Sequence, residues 1–64
     1  MNEQVFTNAC AAWERYCTRH GFVYEQPSRE ASVVSGRSVY LRNIRGNLAR
    51  YDTIARRISP LRAR

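Results

Sequence analysis

Lysine is missing from this chain: all eleven of its Lys and Arg positions are arginine. Acid is scarce too, with five carboxylates (Glu3, Glu14, Glu25, Glu30 and Asp52), so the formal charge is +6. His20, Cys10 and Cys17 are its only His and Cys residues. These shortages argue against several chemistries. Zinc needs about four ligands converging on one point. Cys10, Cys17 and His20 fall on one helical face with Cys10 two turns from His20's neighbour Cys17, leaving only a site shared between two copies. A thiol nucleophile needs a base beside it, and His20 has no acid to support it. The carboxylates are scattered, so no general acid/base pair stands out. Gly21, Gly36 and Gly46 are isolated, so there is no glycine-rich phosphate loop. The expectation is a non-enzymatic protein with no cofactor.

Long apolar runs are lacking as well. None approaches the ~20 residues of a membrane span, and MNEQVFTNAC is amphipathic rather than a basic stretch before an apolar block. Cys10 and Cys17 stand two helical turns apart, roughly 10 Å, too far for an internal disulfide. A reduced, cytoplasmic protein is expected. A chain of 64 residues buries only about 60% of the surface its unfolded form exposes. Help from a partner or a second copy would add stability.

What the chain does contain is patterned. At about 100° per residue, Val5, Phe6, Ala9, Cys10, Ala12, Trp13, Tyr16, Cys17 and His20 share an arc of roughly 160°. The spacing predicts an amphipathic helix over residues 3–20. Asn2 suits its N-cap, Glu3 the positive end of the dipole, and Gly21 a left-handed stop. The thiols on this face read as small hydrophobes, and Trp13 as a core anchor meeting Leu41 and Tyr51.

Phe22–Glu25 is β-prone and ends at Gln26-Pro27. Residues 27–36 read as a loop with a strand fragment at Ala31 to Val34. Residues 38–43 read as a strand. Asn43-Ile44-Arg45-Gly46-Asn47 reads as a hairpin turn, with Gly46 at positive φ and a bulge. That register pairs Leu41 with Ala49, Tyr40 with Arg50 and Val39 with Tyr51. Val39, Leu41, Ala49, Tyr51 and Thr53 then face the helix. Tyr40, Arg42, Leu48, Arg50, Asp52 and Ile54 face away. A rival helical spacing runs through Leu48, Tyr51, Ala55 and Ile58, but the turn signature and matched strand favour the hairpin. The expected fold is α+β: an N-terminal amphipathic helix on a two- or three-stranded antiparallel sheet built around the hairpin 38–54. Residues 1–58 form one small domain, and 59–64 a basic flexible tail.

Function is read from where the arginines fall. From Arg37 onward there are eight, against one acid, Asp52. Such a field attracts a polyanion or an acidic protein surface. The use of arginine throughout has two readings, codon usage in a GC-rich genome and the fit of guanidinium forks to phosphates, carboxylates and aromatic faces. Tyr40, Arg42, Arg45 and Arg50 gather on the hairpin, Leu48 lies beside them, and Arg56 and Arg57 extend the charge. Tyr and Arg together stack on bases and grip phosphates, and they also make protein-binding hot spots. The segment SVYLRNIRGNLARY resembles hairpins of small bacterial and phage proteins, a resemblance that implies no activity. The leading expectation is a binding module whose Arg-rich hairpin and tail meet nucleic acid or a ribonucleoprotein. The alternative is a phage- or mobile-element-type inhibitor or adaptor docked on a larger host protein. A homodimer is a further expected partner state, because apolar residues mark both sheet faces.

Overall fold

The computed structural model describes residues 2–61. It begins with α1 (Glu3–His20), the helix that the apolar arc predicts. Asn2 is extended, and its Oδ1 accepts the Gln4 backbone N–H at 2.7 Å. At the other end Gly21 is left-handed at φ 73°, and the N–H of Phe22 reaches the Cys17 carbonyl at 2.9 Å. Such a cap satisfies a carbonyl that the helix itself leaves orphaned. Ala9, Ala12, Trp13 and Cys17 are buried along one side, flanked by half-buried Val5, Phe6, Cys10 and Tyr16. His20 keeps its place beside Tyr16 on that side but is exposed.

Four strands follow: β1 (Val33–Ser35), β2 (Ser38–Asn43), β3 (Gly46–Asp52) and β4 (Arg57–Pro60). They form an antiparallel sheet in the order β1-β2-β3-β4. The fold is therefore α+β, with four strands where two or three were expected. The central register is the expected one: Leu41 opposite Ala49, Tyr40 opposite Arg50, Val39 opposite Tyr51. Gly46 has φ 121°, and Asn43 Oδ1 accepts the Arg45 N–H at 2.9 Å across the turn.

The bulge sits two residues beyond Gly46, the position where the turn reading places it. Asn43 pairs with Gly46 and Arg42 with Asn47, but Leu41 pairs with Ala49, so Leu48 is the extra residue. An inserted residue breaks the two-residue alternation of a strand. Leu48 and Ala49 are in consequence both buried, at 1% and 0% exposure. The expectation that Leu48 lies on the outer face is thus overturned.

Other expectations need correction. The helical spacing over 48–58 does not form a helix; it is divided between β3, a turn at 53–56 and β4. Thr53 and Ile54 leave the sheet because Asp52 starts that turn. Its Oδ1 accepts the N–H groups of Ile54 and Ala55, both at 2.9 Å, and its carbonyl accepts that of Arg56 at 2.7 Å. Residues 22–25 form no strand, yet their burial alternates, with Phe22 and Tyr24 packed on the core and Val23 exposed. The Trp13 indole N–H donates to the Glu25 carbonyl at 3.1 Å, which pins this segment to the helix. Ser59 and Pro60, read as the start of a tail, belong to β4 and pair with Arg50 and Ala49. Proline is tolerated there because β4 is an edge strand. Residues 62–64 of the expected tail lie outside the described residues.

The core lies between α1 and the sheet. Val39, Leu41, Leu48, Ala49 and Tyr51 supply the sheet side, and Ile58 packs against them from β4. The helix packs over β2, β3 and β4 but not β1. The shortest dimension is 16 Å, as two layers would give, and among the described residues no other helix or strand covers the sheet face away from α1. The free edge of β2 beyond β1 is closed by a loop. Ser32, buried, accepts the Arg42 N–H at 3.0 Å and donates to its carbonyl at 3.3 Å, and the Ser28 N–H reaches the same carbonyl at 2.7 Å. No helix of the described residues is long and apolar enough to cross a membrane.

Candidate anion-binding surfaces

Three of the five acids form ion pairs with arginines other than Arg15, Arg19, Arg56 and Arg57. Glu3 pairs with Arg29, whose guanidinium also lies 5.9 Å from the Phe6 ring centroid. Asp52 holds Arg37 through Nε at 2.8 Å and a terminal nitrogen at 2.7 Å. This hydrogen bond, with those from the backbone of Ala55 and Ile54, holds the Asp52 carboxyl down at about 2. The same carboxylate raises the Arg37 guanidinium above its usual value. Glu25 faces Arg45 at 3.7 Å and accepts from Asn43 Nδ2 at 3.3 Å.

Arg15, Arg19, Arg42, Arg50, Arg56 and Arg57 form no ion pair among the described residues. They fall into two places. The first is a groove of about 360 Å³ between the second half of α1 and the start of β4. Arg15, Arg19 and His20 line it from the helix, Arg56 and Arg57 from the strand side, and Ala12, Tyr16 and Ile58 complete the lining. No carboxylate is among these residues. Glu14 lies in a shallower depression on the far side of Arg15 and Arg19. Arg56 reaches the groove through a left-handed backbone at φ 57°, imposed by the turn that Asp52 organises.

One end of the groove is aromatic. The Tyr16 and His20 rings are 4.2 Å apart and tilted by 33°, while Trp13 lies behind Tyr16 at 6.1 Å and 18°. Phe22 meets Tyr16 edge-on at 5.6 Å. The one-turn spacing of Trp13, Tyr16 and His20 along α1 produces this column. Its inner end is buried and its outer end, His20, is exposed.

The second place is the uncovered sheet face. Val33, Tyr40, Arg50 and Ser59 form one row across the four strands. Arg50 is exposed and Tyr40 half-buried. Arg42 is on this face too, but its Nε is buried without a hydrogen-bond partner, so its fork is only partly available. Arg45 is at the hairpin tip beside Glu25.

The expected site residues therefore separate. Tyr40, Arg42 and Arg50 stay together, Arg45 sits at the tip, Arg56 and Arg57 go to the groove, and Leu48 goes to the core. Arg15 and Arg19 are not among the site residues that the sequence pattern points to. Their place flanking the apolar arc, beside Ala12 and Tyr16, was the available signal, but only the packing of α1 against β4 sets them opposite Arg56 and Arg57.

The thiols fit the expected apolar role. Burial pushes both Cys10 and Cys17 up, with Glu14 adding to the rise at Cys17. A raised pKa leaves little thiolate. Among the described residues no three His, Cys, Asp or Glu side chains gather as a metal site would require. No protein-family model matches the chain, no curated protein matches its sequence, and no solved structure matches it.

Proposed function

We propose that this protein is a cytoplasmic, non-enzymatic binding module for the phosphate backbone of a nucleic acid, with the α1–β4 groove as its main contact. The observation that carries this reading is the meeting of Arg15 and Arg19 with Arg56 and Arg57 around a groove that no carboxylate of the described residues lines. Like charges brought together on folding repel one another, and an anion in the groove relieves that repulsion. Guanidinium forks suit phosphate oxygens. The outer-face Arg50 extends the field.

The test is binding to short duplex and single-stranded probes at several salt concentrations. Replacing Arg15 and Arg19 together should weaken binding and lower its salt dependence, since each lost phosphate contact removes one increment of counterion release. Replacing Arg42, Arg45 and Arg50 together should weaken it less. Absence of binding to every probe at low salt would reject the proposal.

A second reading has its own support. The row of Tyr40 and Arg50 between Val33 and Ser59 lies on a sheet face that no other described helix or strand covers, and Tyr and Arg are enriched among protein-binding hot spots. A small inhibitor or adaptor docking on a larger protein would use that face. Its mark is a stoichiometric partner that survives nuclease treatment and is lost on Tyr40→Ala or Arg50→Ala, with the groove variants retaining it.

A further inference from the structure

We infer that the groove accepts a single strand, not a duplex, and stacks one base on the His20 end of the aromatic column. The inference rests on the phosphate-binding reading and adds the strand state to it. Three observations combine. The groove volume, about 360 Å³, lies at the small end of the range for ligand pockets, roughly 300–1,000 Å³. Its cationic walls come from two sides, so a thin strand can lie between them. A duplex offers its phosphates on a broad cylinder and keeps its bases paired inside, leaving the rings without a partner.

The third observation is the column itself. His20 is exposed, with Tyr16 behind it at 4.2 Å and Phe22 edge-on to both rings, at 5.6 Å from Tyr16 and 6.5 Å from His20. A ring held from behind and from the side presents a fixed face, and an unpaired base can extend the stack with little ordering cost. Arg19, one residue before His20, and Arg56 and Arg57 across the groove are placed for the phosphates flanking that base. Every base has a π-face, so such a site tolerates sequence.

The experiment measures full-chain binding by fluorescence anisotropy to three labelled probes of equal length: oligothymidine, the same strand made of abasic sites, and a duplex. The expected order is oligothymidine tightest. Replacing His20 with Ala should weaken oligothymidine binding about 5- to 150-fold and leave the abasic strand and duplex unchanged. His20→Phe keeps a stacking face and should retain the preference. Because His20 is exposed at the last turn, circular dichroism should show the variants folded. Equal binding of abasic and thymidine strands, or a preference for duplex, overturns the stacking inference while leaving phosphate binding in place. Absence of binding by all three probes rejects both.

Discussion

Asp52 shows how much one residue can organise. It holds Arg37, two backbone N–H groups of the turn and, through its carbonyl, Arg56. Its carboxyl is held at about 2, whereas an unfolded Asp titrates near 3.9. A depressed folded pKa contributes stability that is complete above the unfolded value and lost as pH falls toward the folded one. Thermal melts should therefore show a stability loss between pH about 4 and about 2 that Asp52→Asn removes, the variant being already less stable at neutral pH. An unchanged acid slope in the variant would refute this assignment. Leu48 makes the opposite point, since a bulge sends it inward to 1% exposure. Leu48→Ala should cost about 2–5 kcal/mol in denaturant unfolding, while folded protein keeps its ligand affinity. A loss of affinity without a loss of stability would return Leu48 to a binding surface.

At the scale of elements, turns decide more than strands. The β2–β3 connection needs Gly46 at φ 121°, and an added Cβ there meets nothing within 4 Å. A Gly46→Ala change thus tests backbone strain without a clash. It should destabilise by about 1–3 kcal/mol and loosen the hairpin, readable as faster amide exchange in β2 and β3. No measurable change would mean that the turn tolerates another conformation. The helix is the most self-sufficient element, with its own cap, stop and apolar stripe. The short edge strand β1, which α1 does not cover, depends instead on pairing with β2.

At the scale of the whole molecule, the two layers divide the work. One sheet face joins the helix in the core and the other stays open, while the groove forms where the layers meet at β4. Charge follows the same division, with three of the five acids tied to Arg29, Arg37 and Arg45 and the groove lining cationic. If its four arginines each contact one phosphate, log K should fall with log salt at a slope of about −3 on a single strand. Affinity that is flat in salt would exclude a phosphate-tracking mode.

Much of this was legible in local patterns. The helix bounds follow from the 3.6-residue arc with Asn2 and Gly21 at its ends, and the hairpin register from Asn43, Gly46 and alternation, because these signals act within a few residues. Short-range rules miss β4, because Ser59-Pro60 reads as the start of a tail until an edge position removes the need for a proline N–H. They also miss the inward turn of Leu48, because a bulge can be absorbed at more than one place in a hairpin. The sequence by itself determined the helix, the central strand pair and the arginine excess. Only tertiary structure decided where that charge acts. Arg15 and Arg19 stand far along the chain from Arg56 and Arg57, and nothing local specifies that α1 should cross β4 at that point. The core does, by seating Ala12, Trp13 and Cys17 over Val39, Leu41 and Tyr51, which carries the two arginine pairs to opposite walls of one groove.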